Sequence, residues 1–203
     1  MGCSSLSRPW PFGIAATAAV LFGAGTPAWS QKLPTGGTVA AGGVTIAQPN
    51  SSTLNINQST SQAIINWNTF SVGRGDTVNF NQPNSSSATL NRVTGSTPSW
   101  IAGTINAPGT VLLVNPNGIE ITKSGVVNAG SFAASTLGIK DADFLAGRYS
   151  FSGNGGSAGV INNGRINVSD GGFAALLGGQ VANNGVISAR DRKSTRLNSS
   201  HRR

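Results

Sequence analysis

"VINNGRI" at residues 160–166 returns as "VANNGVI" at 181–187, twenty-one residues later, and "GVVNAG" at 125–130 is a looser echo. A repeat of about this length built on short β-rich runs points to a solenoid, in which each rung covers the apolar face of the next. The texture around the repeat is uniform from Gln31 to Arg190. Runs such as Leu54-Asn55-Ile56, Ile65-Asn66-Trp67, Val78-Asn79-Phe80, Val111-Leu112-Leu113 and Ile119-Glu120-Ile121 read as period-two strands, punctuated by Gly, Pro and Asn-Gly. Asn-Gly pairs at Asn117, Asn154, Asn163 and Asn184 could equally close two-residue hairpins, so an antiparallel sandwich or barrel is the rival fold. The repeat favours the parallel coil, because successive turns of one coil place equivalent residues above each other, whereas hairpins need not recur in register. In "VLLVNPNGIEI" (111–121) the segment Asn115-Pro116-Asn117-Gly118 then reads as a corner between two strands. Gly118 can take positive φ, Asn tolerates it, and Pro116 stiffens the entry. With only 10% charged residues, a helical bundle is a poor fit to this composition.

The two ends differ from this middle. Residues 1–30 carry Arg8, the apolar run "FGIAATAAVLFGAG" and then "TPAWSQ", with small residues at Ala28 and Ser30. This is the layout of a secretory signal, with cleavage expected between Ser30 and Gln31. The run is too short and too Gly-rich for a membrane span. Cys3 precedes it, whereas a lipid-anchored cysteine would follow, so the mature chain is expected to hold no cysteine even where disulfides are permitted. Residues 191–203, "DRKSTRLNSSHRR", break the texture abruptly. The stretch "DRKSTRLNSSH" is the translation of a nucleotide sequence resembling a common sequencing-library adapter. We therefore expect an artefact or a disordered tail there, and a chain truncated at its carboxy-terminal end.

The formal charge of +8 has to be located before it is used. Arg192, Lys193, Arg196, Arg202 and Arg203 sit in the tail, and the segment 31–190 keeps eight basic against five acidic residues. That leaves no basic patch to support a nucleic-acid partner. Catalysis is equally poorly supplied. The acids before the tail are Asp76, Glu120, Asp141, Asp143 and Asp170, with no histidine or cysteine among residues 31–190. Glycan-cleaving β-helices need clustered carboxylates, often with calcium. The one close pair, Asp141 and Asp143, is expected to cap a short turn. No enzyme, metal or cofactor is expected. Arg74-Gly75-Asp76 is a tripeptide associated with integrin binding, and the Gly-rich context makes a solvated turn the simpler reading. Trp67, Trp100, Phe70, Phe80 and Phe132 fall at strand positions that suit a core better than a sugar-stacking platform.

The long ordered blocks "LPTGGTVAAGGVTI", "IINWNTFSVGRGDTVNFNQP" and "LNRVTGSTPSWIAGTINAPGTVLLVNPNGIEITKSGVVNAGSFAASTLGIKDADFLAGRYSFSG" resemble the amino-terminal secretion domain of filamentous haemagglutinin-type two-partner secretion exoproteins. The resemblance covers Leu33 to Arg190, so residues 31–190 are expected to be one such domain. It implies an all-β, right-handed parallel β-helix with an amino-terminal cap and short β-hairpin extensions. It also implies export by the Sec translocon, recognition by the periplasmic POTRA domains of an outer-membrane β-barrel transporter, and folding outside a Gram-negative cell. The parent would be a secreted or cell-surface adhesin. A haemolysin or contact-dependent growth-inhibition toxin on the same module, or a stand-alone glycan-binding or glycan-cleaving β-helix, are the alternatives. Host-cell or glycan receptors would be met through the passenger region. Residue by residue, Asn91-Arg92-Val93 and Asn115-Pro116-Asn117-Gly118-Ile119 match the family's secretion motifs. The same asparagines also suit turn amides and stacked ladders.

Overall fold

The computed structural model describes residues 33–153 and 158–189. The chain opens on two cap strands, β1 (Thr38–Ala41) and β2 (Val44–Asn50), and then winds into a coil. The first rung contains β3 (Thr53–Gln58) and β4 (Gln62–Trp67). The second contains β5 (Thr77–Asn81), β6 (Ala88–Val93) and β7 (Ser99–Ile101). The third contains β8 (Thr104–Asn106), β9 (Thr110–Val114) and β10 (Ile119–Ile121). In the fourth, β11 (Val126–Ala129) and β12 (Ser131–Ser135) are followed by an excursion before the rung closes. That excursion is β13 (Gly138–Ile139), α1 (Asp141–Leu145) and β14 (Phe151–Ser152), and β15 (Gly159–Asn162) completes the rung. The fifth contains β16 (Arg165–Val168), β17 (Ala174–Leu177) and β18 (Gln180–Asn183), and β19 (Val186–Ala189) begins the next.

Stacking these rungs makes three sheets. The first runs β2-β3-β5-β8-β11-β16-β19, the second β1-β4-β6-β9-β12-β17, and the third β7-β10-β15-β18. Every neighbouring pair in them is parallel except β1 with β4 and β2 with β3, where the cap strands lie antiparallel against the first rung. Parallel stacking in register is the expected coil, and the antiparallel cap is the expected cap. Leu33 tucks into the core at that end, beside the edge-on pair Trp67 and Phe70, whose centroids are 5.5 Å apart.

Inside the coil, equivalent residues pile up. Leu54, Val78, Ile105, Val127, Ile166 and Ile187 stand in one inward row of the first sheet. Trp67, Phe80 and Phe132 are core, as their strand positions suggest, and Phe70 is core from the loop after β4, whereas Trp100 faces outward from β7 and is half-buried. On the outer side of the first sheet Asn55, Asn79, Asn106, Asn128 and Asn167 form a ladder. Each Nδ2 donates to the Oδ1 one rung before, at 3.0, 3.1, 3.0 and 2.8 Å in turn.

Three expectations need correction. The rungs have no fixed period: the ladder steps are 24, 27, 22 and 39 residues, and a step of 21 recurs only in places, such as from β9 to β12 and from β15 to β18. Corners absorb the difference, since a loop can lengthen without disturbing the stacked strands. Val111-Leu112-Leu113 does not alternate, because β9 is buried on both faces. Asp141 and Asp143 lie in the first turn of a helix whose N-cap residue is Lys140, and no side chain caps it. They pair instead with Arg92 at 2.7 Å and Arg148 at 2.8 Å.

Ile105 is fully buried at the middle of the inner row. Ile105→Ala should lower the unfolding free energy by about 2–5 kcal/mol, as read from urea denaturation followed by tryptophan fluorescence.

Candidate functional site

The two motif segments meet at one edge of the second sheet. Arg92 near the end of β6 is paired with Val114 at the end of β9, and Asn115 follows immediately. The corner after β9 is a turn closed by the Gly118 amide donating to the Asn115 carbonyl at 3.1 Å. Gly118 takes φ +110, which a side chain rarely tolerates, so the positive φ read from the sequence is present.

Asn115 is fully buried and its amide is used at both ends. Its Nδ2 donates to the Thr97 carbonyl at 3.0 Å and to Ser99 Oγ at 2.9 Å. Its Oδ1 accepts from the Asn117 backbone amide at 2.9 Å and from Asn117 Nδ2 at 3.0 Å. Asn117 Nδ2 also donates to the Gly95 carbonyl at 2.8 Å. The pair therefore fastens its corner to the corner of the preceding rung, while Pro116 is exposed and Ile119 is core. An amide suits this position because it donates twice and accepts twice, whereas a carboxylate donates nothing and a hydroxyl donates only once.

The other segment is built the same way. Asn91 is fully buried, with its Oδ1 accepting from Trp67 Nε1 at 3.0 Å and its Nδ2 3.4 Å from the Leu112 carbonyl. Val93 is core. Arg92 points outward, and its Nη2 donates to the Ile139 carbonyl at 2.9 Å and to Asp141 Oδ1. Of the eight motif residues, only Arg92, Pro116 and Asn117 present appreciable surface.

The remaining sequence candidates are scattered. Arg74 and Gly75 are exposed at the tip of a turn in which the Asp76 amide donates to the Gly73 carbonyl at 2.9 Å, and Gly75 has φ +84. Ser30 and Gln31, at the expected cleavage point, lie outside the described residues, as does the tail 191–203. Among the described residues no group of His, Cys, Asp and Glu is gathered for a metal ion, and no helix is long and apolar enough to cross a membrane. A groove of about 430 Å³ runs along the asparagine ladder, where Asn79, Asn106, Asn128 and Asn167 line it together with apolar residues such as Phe80 and Val168.

What sequence reading missed is a glycine column at one corner. A Cβ on Gly125 would overlap the Ile101 carbonyl, and one on Gly164 would overlap the Gly125 carbonyl. Recurrence of Gly one rung apart, just before β11 and β16, was the available signal.

These features define a capped parallel β-solenoid in which Asn115 and Asn117 fasten one corner to that of the preceding rung. Residues 30–200 match the family model of the TPS secretion domain, the domain of two-partner secretion, and the chain belongs to that family. It is 32% identical over 191 residues to a heme/hemopexin-binding protein of Haemophilus influenzae strain KW20, covering 87% of this chain and 20% of that protein. It is 34% identical over 111 residues to a second heme/hemopexin-binding protein of Haemophilus influenzae, covering 55% of this chain and 12% of that one. The chain thus spans about a fifth or less of these relatives. The crystal structure of the HMW1 secretion domain from Haemophilus influenzae superposes with a TM-score of 0.69 at 36% identity, over 77% of this chain and 42% of that one. Members of this family are exported by a two-partner route, which implies an outer-membrane transporter as partner.

Asn115→Ala removes four hydrogen bonds from a buried side chain and takes from the Thr97 carbonyl and Ser99 Oγ the donor they share. We expect a loss of about 2–4 kcal/mol in urea unfolding. The exposed Pro116→Ala should change stability by less than about 0.5 kcal/mol.

Proposed function

We propose that the domain is an export address read before it folds, and that the two motif segments serve twice. On the extended chain they are part of what the transporter recognises, and in the folded domain one ties adjacent strands together and the other fastens a corner. The observation that carries this reading is the burial of Asn91 and Asn115, whose amides are engaged entirely within the fold. A partner that reads those side chains can reach them only on an unfolded chain. An extended segment added to an open sheet edge gains affinity from its main chain and specificity from alternate side chains, which suits such a reading.

In this account residues 1–30 direct Sec export, and POTRA domains of the outer-membrane barrel bind Asn91, Arg92, Val93 and Asn115 to Ile119 in the periplasm. The chain then crosses extended and folds outside a Gram-negative cell. The parent is a secreted or surface adhesin of the filamentous haemagglutinin type, and the domain itself is not catalytic. Two features support the route: the segment 31–190 has no cysteine to lock it early, and a solenoid can form rung by rung as it emerges.

The test is capture by the immobilised periplasmic domains of the cognate barrel. They should retain chain freshly diluted from urea, release refolded chain, and retain Asn115→Ala poorly even when it is unfolded. Equal capture of folded and unfolded chain, or full export of Asn115→Ala, would sink the reading.

A further inference from the structure

The outer face of the second sheet carries an apolar row. Ala41, Ile64, Leu90, Leu112, Ala133 and Ala175 stand in one outward row across six strands. Ile64, Leu90, Leu112 and Ala133 are buried nonetheless, in a second core that includes Ile139 and Phe144 and is separate from the one inside the coil. The cover is the excursion Gly138–Ser152, with Tyr149 and Phe151 packed against the same cluster. The row narrows from Ile and Leu to Ala in the later rungs, which leaves room for these rings.

The excursion touches five rungs. Gln62 Nε2 in the first donates to the Phe144 carbonyl at 3.0 Å. Arg92 in the second holds Ile139 and Asp141. Leu112 and Val114 in the third belong to the second core, against which Tyr149 and Phe151 pack. Ala133 in the fourth joins the second core, and the Phe173 ring, entering the fifth, lies 6.1 Å from that of Tyr149. Phe144 itself is fully buried and stacks on Tyr149 at 6.0 Å.

A bare solenoid rung contacts only its neighbours, so rungs can open one at a time from an end. A segment bound to five rungs removes that freedom, because opening any of them breaks its contacts with the rest. We propose that Gly138–Ser152 is a strap that locks rungs one to five into a single folding unit, with Phe144 as its anchor and Arg92 as the residue that positions it. The strap follows β4, β6, β9 and β12 in the chain, so their apolar row stays open until residue 144 is available to close it. On the export reading above, that row is what the emerging domain exposes until the fourth rung is out.

Hydrogen exchange of the purified full chain in graded urea tests this. In the unmodified chain the amides of β4 and β16 should open together, at one urea dependence. In Phe144→Ala and Arg92→Ala the β16 amides should exchange about tenfold or more faster than those of β4, because the rungs now open separately. Asp141→Asn, at a half-exposed carboxylate, is a mild variant that keeps the fold and should shift the same way to a smaller extent. Ile105→Ala, in the inner core, should accelerate both strands alike. The proposal is overturned if Phe144→Ala also accelerates β4 and β16 alike, or if they already open separately in the unmodified chain. No transporter enters the measurement, so its failure and the failure of the export reading are distinguishable.

Discussion

In-register stacking of parallel rungs is the constraint from which the rest follows. Each side chain sits on its own equivalent about 4.8 Å away, so a residue type is tolerated only if it tolerates a copy of itself as neighbour. Two like charges at that spacing cost close to 1 kcal/mol even in water and more where half-buried, which accounts for a chain with only 10% charged residues. Asparagine meets the requirement because its amide donates to one neighbour and accepts from the other, as the ladder from Asn55 to Asn167 shows. Glycine meets it at corners, where adjacent backbones approach closely enough to exclude a Cβ. The Gly-Asn texture of the sequence is thus a direct consequence of the architecture.

Corners also explain the buried amides. A strand satisfies its backbone through the sheet, but a corner turned into the core leaves groups that must find other partners. Asn115 and Asn117 supply them on one edge. On another, Gln82 Nε2 donates to Thr89 Oγ1 at 2.9 Å, Thr89 donates to Gln58 Oε1 at 2.6 Å, and Gln82 Oε1 accepts from the Gly109 amide at 2.8 Å. Both networks tie one rung to the next, and neither leaves a charged group inside.

The coil and the corner at Asn115 were legible in the sequence because each rests on local pattern: period-two alternation, a twenty-one-residue echo, and a Pro-Asn-Gly turn; the cap came only with the family resemblance. The strap was not, because its partners are distant. Its signal was present in β9 and β12, where "VLLV" and "FAA" are apolar without alternation and so must be buried on both faces. Reading Val111-Leu112-Leu113 as one more alternating strand hid the second core. The partner of Arg92 was equally out of reach, since Asp141 lies 49 residues along the chain and no spacing rule connects them.

That distance separates the two cores by the order in which they can form. Inner contacts join residues one rung apart, 20 to 29 residues along the chain wherever the excursion does not intervene, so each new rung gains its neighbour at a similar entropic cost. The contact from Gln62 to Phe144 spans 82 residues and cannot exist until four rungs are present. A chain that emerges from its amino terminus therefore accumulates inner stability gradually and outer stability in one step. Motif asparagines buried by the first process are accessible early and lost progressively. An apolar face covered by the second stays uncovered until the excursion itself arrives, so the inner core can close rung by rung while the outer one closes only after residue 144.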